Sequence, residues 1–230
     1  MRSPFRLGSA ALLSAVLAAP LSAQTVSFTN GTTYSAPALT GFVTLGNMMG
    51  GMTVSWQLVG GGSGSGSWGD LGGGFWGVSG GGVQVFMEAG ADTYFGLWNV
   101  WNDSNAALKS LLFNGAPGRT LFDAVNEPYG TEGSFRGIAF QNVTTQAGVS
   151  AQYSNIFKLT GDPAPVGDLY EQLFVDFGDG LSAGSRYSFY ADTDNSPADA
   201  PPPTPVSEPI SATLLVTGLV GLAAARRRKV

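Results

Sequence analysis

The side chains able to do chemistry are few in kind. The chain has 230 residues with no His and no Cys, so thiol chemistry, a Ser-His-Asp triad and metal sites built on imidazole or thiolate are ruled out. Gly77-Val78-Ser79-Gly80-Gly81 and Gly180-Leu181-Ser182-Ala183-Gly184 match the G-x-S-x-G elbow of serine hydrolases, but a serine nucleophile needs a nearby base to take its proton. Lys109 and Lys158 do not stand in the S-x-x-K context that would supply one. Carboxylates survive. Asp123, Glu127 and Glu132 cluster in sequence, and a glycosidase holds two such groups about 5 to 9 Å apart across a sugar. Spacing along the chain does not set that distance, and acidic loops are mostly solvated turns, so no catalytic residue is expected.

Two binding chemistries are open to the remaining groups. Asp192-Thr193-Asp194-Asn195 puts hard oxygen ligands at alternate positions, as a calcium loop would. The EF-hand version fails, because Pro197 replaces the turn Gly and Pro203 the bidentate Glu. Only a site at a sandwich edge, with Asp192, Asp194 and Asn195 completed by distant residues, stays open against a plain exposed acidic strand end. Aromatic rings offer the second chemistry. Trp68 and Trp76 lie in the Gly-rich stretch, where exposed rings could stack on the C–H faces of a carbohydrate. Trp56, Trp98 and Trp101 sit on strand-like runs and are expected in the core.

The elements that position these groups read as β-strands. In Met52-Thr53-Val54-Ser55-Trp56-Gln57-Leu58 apolar residues fall at every second position, as they do at Leu169, Leu173, Val175 and Phe177. Similar runs are Thr25–Thr29, Phe42–Leu45, Val83–Glu88, Tyr94–Trp101, Leu108–Phe113, Phe135–Phe140, Gln152–Leu159 and Arg186–Asp192, separated by turn-forming residues. No amphipathic helix and no internal repeat interrupt them. The class expected is all-β, a two-sheet antiparallel sandwich of jelly-roll type, with a barrel as the second choice. Gly64–Gly69 and Gly72–Gly77 fit G-x-G-x-x-G, yet the strand-like Val83–Phe86 follows where a phosphate site needs a helix. Gly60 to Gly82 is therefore expected to be a flexible surface loop.

Both ends carry targeting patterns. Arg2 and Arg6 precede an apolar stretch from Leu7 to Ala19, and Leu21-Ser22-Ala23 precedes Gln24 as a small-residue cleavage site, so residues 1–23 read as a secretory signal peptide. The Pro-rich stretch 196–207 reads as an extended, semi-rigid spacer between the domain at 24–195 and the tail. From Ile210 to Ala225 no charge interrupts an apolar run, which spans about 24 Å as a helix against a hydrocarbon core of about 30 Å. Arg226, Arg227, Arg228 and Lys229 follow at once and hold that end on the cytoplasmic side, leaving the bulk of the protein outside.

The tail VSEPISATLLVTGLVGLAAARRRKV, residues 206–230, resembles the PEP-CTERM sorting signal of bacterial exported proteins, in which a Pro-Glu-Pro motif, a short hydrophobic helix and an Arg cluster follow one another. Glu208 and Pro209 match the motif, whereas Ser207 stands at its first Pro. The resemblance implies processing by an exosortase-type membrane enzyme, transient single-pass anchoring, and association with extracellular polysaccharide or biofilm. The body, through NDSNAALKSLLFNGAPGRTLFD and the run ending in Asp192-Thr193-Asp194, loosely resembles ectodomains that carry the same tail, with no activity implied.

Charge narrows the partners. Arg2, Arg6, Arg226, Arg227, Arg228 and Lys229 account for six of the eleven bases, leaving five against sixteen acids. Such a field repels phosphate backbones, so nucleic acid is not expected as a partner. The expectation is a non-enzymatic exported surface or matrix protein. A carbohydrate-binding module is the alternative, and a carboxylate-dependent glycoside hydrolase the third reading.

Overall fold

The computed structural model describes residues 24–40, 43–124, 137–165, 168–197 and 204–205. The expected signal peptide, the membrane helix 210–225, the residues Ser207, Glu208, Pro209, Arg226, Arg227 and Arg228, and the acids Glu127 and Glu132 lie outside them. Among the described residues no helix is long and apolar enough to cross a membrane.

Strands follow in the order β1 (Thr25–Phe28), β2 (Tyr34–Ala36), β3 (Thr53–Leu58), β4 (Ser63–Ser67), β5 (Gly69–Gly72), β6 (Phe75–Gly80), β7 (Val83–Glu88) and β8 (Trp98–Asn102). They continue as β9 (Leu108–Asn114), β10 (Thr120–Asp123), β11 (Gln141–Asn142), β12 (Ser150–Leu159), β13 (Leu169–Leu181), β14 (Arg186–Tyr190), β15 (Asp192–Asn195) and β16 (Thr204–Pro205). One sheet has the order β16-β2-β12-β13-β9-β3-β4, with β1 added on β12 and the pair β10-β15 added on β13. The other runs β11-β14-β8-β7-β6-β5. The all-β sandwich expected from the alternation is therefore present.

Its pairing is not purely antiparallel. Both β1 and β2 lie parallel to β12, at Thr25↔Ser150 to Phe28↔Tyr153 and at Phe157↔Tyr34 to Leu159↔Ala36. Between these two contacts Asn155 takes a left-handed conformation, φ 62°, which Asn tolerates better than most residues. The inward phase changes there. Tyr153 and Leu173 face each other in the main core, and beyond Asn155 it is Ile156 and Tyr170 that do so. Phe157 and Leu169 are left to a second small cluster with Ala36 and Leu121.

The main core joins the sheets through aromatic rings. Trp98 of β8 is fully buried, stacks on Phe189 at 5.8 Å and meets Phe113 of β9 edge-on at 5.5 Å. Each such pair contributes about 0.5–1.5 kcal/mol beyond its area. The indole N–H of Trp98 donates to the Ala191 carbonyl at 2.8 Å, so its one polar atom is satisfied inside.

The Gly-rich stretch is not a loop. Residues 63–80 form β4, β5 and β6, because their missing side chains make room for a neighbour's. A Cβ at Gly64 would overlap the indole of Trp56, and one at Gly80 would lie 3.0 Å from it. Trp56 thus wedges between β4 of one sheet and β6 of the other. Other boundaries move as well. Of the expected run 42–45, Leu45 supplies an isolated bridge to Asp92 before a 3-10 turn at Gly46–Met49, Phe42 lying outside the described residues. Residues 93–95 form a turn ahead of β8, and the described part of the run 135–140, residues 137–140, is not strand although Phe140 is buried.

Candidate functional site

The outer face of the six-stranded sheet carries the aromatic residues that the core does not use. Val83, Val85 and Met87 of β7 face inward, which turns Gln84, Phe86 and Glu88 outward. Phe86 lies over Gly77 of the neighbouring β6, where a Cβ would meet the Phe86 Cβ at 2.7 Å. Its ring meets Phe75 edge-on at 5.4 Å and Trp101 edge-on at 4.8 Å. The diagonal Phe75–Phe86–Trp101 crosses three strands and ends at Arg186, whose guanidinium sits 4.6 Å from the Trp101 ring centre and pairs with Asp103 at 2.8 Å. Trp101 is 37% exposed, which corrects its expected place in the core.

Beside this diagonal lies an open cleft of about 540 Å³ lined by Phe75, Glu88, Asp92, Phe95, Asn99 and Tyr190, among others. Its rim is held by a turn built on one carboxylate residue. The Asp92 side chain accepts from the Tyr94 N–H at 3.1 Å, and its backbone carbonyl accepts from Phe95 at 3.1 Å and Gly96 at 2.6 Å. Phe95 is thereby presented 75% exposed, braced edge-on by Tyr94 at 4.6 Å. On the cleft floor Asn99 Nδ2 donates to the Leu97 carbonyl at 3.1 Å, and its Oδ1 accepts from Ser188 at 2.9 Å. Rings for stacking and carboxylate, amide and phenol groups for hydroxyls therefore line one accessible trough, the arrangement that recognises a ligand with an apolar face and a polar edge.

Sequence reasoning placed the ring contacts elsewhere. Trp68 is 2% exposed, donates its indole N–H to the Gly46 carbonyl at 2.8 Å and packs 5.1 Å from Trp98; it is a core residue, because Gly and Ser around it formed strands rather than a loop. Trp76 is partly buried against the core and lines a different, smaller cleft. Trp56 and Trp98 are in the core as expected. The residues missed were Phe75, Phe86, Phe95 and Tyr190. Their signal was present at Phe86, an aromatic out of phase with Val83, Val85 and Met87.

The acidic groups also moved from surface to interior. Asp192–Asn195 form β15, paired to β10 in the register Asp123↔Asp192 and Leu121↔Asp194, and its four polar residues, Thr193 among them, are at most 6% exposed. This corrects both the solvated turn expected at Asp123 and the exposed strand end expected at Asp192. Asn195 Nδ2 donates to the Met48 carbonyl at 2.9 Å, and Asp192 Oδ1 accepts from Thr93 at 2.8 Å. Among the described residues no three acidic side chains converge as a cation site. Burial pushes the Asp192 carboxyl up to about 8, with the nearby negative charges of Asp194 and Asp123 adding to the rise and the Thr93 bond opposing it. Burial likewise raises Glu171 to about 8, against hydrogen bonds from Asn155 and Tyr34. Neither could be seen in the sequence, since the burial of both comes from strands distant in the chain, β10 beside Asp192 and the neighbours Tyr34 and Asn155 beside Glu171.

No family model matches the chain, and neither a curated protein nor a solved structure matches it.

Proposed function

We propose that this chain is an exported, non-enzymatic surface or matrix protein that holds extracellular polysaccharide on the outer face of its six-stranded sheet. The observation that carries the reading is the trough in which Phe75, Phe95 and Tyr190 offer rings beside Glu88, Asp92 and Asn99. A pyranose has two apolar C–H faces and a rim of hydroxyls, and this alternation of ring and polar group complements it. The surplus of acids over bases disfavours nucleic acid and anionic lipid as rival occupants of the same face.

The destination rests on the two ends. Residues 1–23 act as the signal peptide, and Glu208-Pro209 with the apolar run 210–225 and Arg226 to Lys229 act as the sorting tail for an exosortase-type enzyme. The chain passes through a single-span membrane form before processing. For the sandwich itself a jelly-roll-like class is the reading favoured, supported by crossings from β4 to β5, β8 to β9, β10 to β11, β11 to β12, β13 to β14 and β14 to β15 that alternate between the sheets.

The test is retention of the purified chain on immobilised polysaccharides of its host, with Phe95→Ala as the probe. Phe95 is exposed enough that its loss leaves the melting temperature in place while binding falls about tenfold or more. Equal retention of both forms would end the reading. Mass spectrometry of the mature protein checks the destination separately, a start at Gln24 and loss of the tail being the expected result.

A further inference from the structure

We propose that the smaller cleft, at Trp76, is a second ligand site, one that takes a single neutral polyhydroxylated ring such as the end residue of a glycan. It rests on the glycan reading for its ligand class and on different residues for its existence. The cleft is about 310 Å³ and is lined by Thr40, Asn47, Met48, Trp76, Asn195 and Ser196, among others. That is at the low end for ligand pockets, room for one ring where the trough has room for a chain.

Four connections meet to build it. The 3-10 turn Gly46–Met49 brings Asn47 and Met48, the start of β6 brings Trp76, the end of β15 brings Asn195 and Ser196, and the 3-10 turn Ala116–Gly118 closes one side. Phe75 and Trp76 are neighbours on one strand, so their rings leave it on opposite faces; Phe75 serves the trough and Trp76 the small cleft. The two sites share no lining residue.

Two buried oxygens in the wall are unused. Asn195, 6% exposed, gives its Nδ2 to the Met48 carbonyl but has no partner for Oδ1, and Ser196, 3% exposed, has none for its hydroxyl. Native interiors leave few such atoms, because each forfeits a hydrogen bond it would make in water. Neither atom touches solvent as it stands, so a ligand satisfies them as the wall gives: the Ser196 hydroxyl turns to the cleft by rotation about Cα–Cβ and bonds one ligand hydroxyl, and a small shift of the Asn195 side chain opens Oδ1 to another. Trp76 supplies the apolar wall for the C–H face. Neutrality follows from the lining. Thr40, Asn47, Asn195 and Ser196 are uncharged, and the cation in the wall, Arg119, is already engaged.

Titration of the full chain with glucose, galactose, mannose, N-acetylglucosamine and glucuronate, followed by amide NMR shifts and by melting temperature, tests the assignment. At least one neutral sugar is expected to shift the amides of Asn47, Gly50 and Asn195 and to raise the melting temperature. Ser196→Ala removes an oxygen that the fold does not use, so it is expected to weaken that sugar about tenfold while leaving the free protein as stable or more so. Asn47→Ala, at an exposed position, gives a second reading of the same loss. In Phe95→Ala the sugar-induced shifts at Asn47, Gly50 and Asn195 are expected to persist, since that side chain lines the trough and not the cleft, so failure of the trough and failure of the cleft are separately visible. The proposal is overturned if no neutral sugar shifts these amides, if Ser196→Ala binds as the parent does, or if glucuronate is preferred.

Discussion

Asp123 and Asp192 stand directly opposite each other in the β10–β15 pair, both buried, at 1% and 5% exposure. Like charges at such positions repel, and a low-dielectric interior screens them poorly. Holding Asp192 protonated relieves the conflict, which accords with its rise to about 8 from burial first and its acidic neighbours second.

Stability should therefore fall as the solution becomes basic. A carboxyl whose folded value lies above its unfolded one keeps its full contribution below the unfolded value, near 3.8 for Asp192, and loses it as pH rises through about 8. The slope in that window is up to about 1.4 kcal/mol per pH unit for each such group. Glu171 adds a second contribution of the same sign. Thermal melts from pH 5 to pH 9 should show a declining midpoint, and Asp192→Asn should flatten the decline; an unchanged profile in that variant would exclude the pair as its source.

Gly64→Ala should cost about 1–3 kcal/mol, since its new methyl overlaps the Trp56 indole that fills the space between β4 and β6. Trp56→Phe in the same chain, by withdrawing the benzo edge of the indole, should recover part of that loss. Urea unfolding of the single and double variants measures the coupling, and strict additivity would mean that the two sites do not touch.

Replacing Trp68 with Phe removes the indole N–H from the buried Gly46 carbonyl and opens space beside Trp98. A loss of about 2–4 kcal/mol is expected, combining an orphaned acceptor with underpacking. Polysaccharide retention by the folded fraction should not change, and a selective loss of binding would return Trp68 to the site.

Trp101 lies on the aromatic diagonal but not in the lining of the trough. Trp101→Ala should cost under about 1 kcal/mol, the scale of an exposed ring with its Arg186 contact. Long polysaccharide should be held less well by this variant than by the parent, while short oligosaccharides that fit the trough bind equally. Equal loss for both lengths would place Trp101 within the trough itself.

How much of this was legible depends on whether local pattern or distant packing decides each residue. Strands β3, β7, β9, β12, β13 and β14 show their alternation in the residues themselves, and each formed close to where it was expected. Strand β4, with the sequence Ser-Gly-Ser-Gly-Ser, has no apolar face of its own; Trp56 from β3 supplies it. The burial of Asp123, Asp192 and Asn195 is equally non-local, for β10 and β15 are short strands taken out of water by pairing with each other and, through β10, with the distant β13. At the trough, Phe75, Phe95 and Tyr190 come from separate elements that only the sheet order brings together. The small cleft was half legible: Trp76 and Asn195 were each singled out, for a sugar and for a cation respectively, with nothing in their spacing to say that they share one wall.

The parallel seating of β1 on β12 orders events in time. Thr25 to Phe28 can be fastened only after Ser150 to Tyr153 has been made and has emerged, from a ribosome or from any pore that threads the chain front end first. The leading segment must wait as loose chain through most of the molecule's passage. Closure of this edge is thus a late step of biogenesis, and a truncation that stops before β12 leaves the front strand with nowhere to dock.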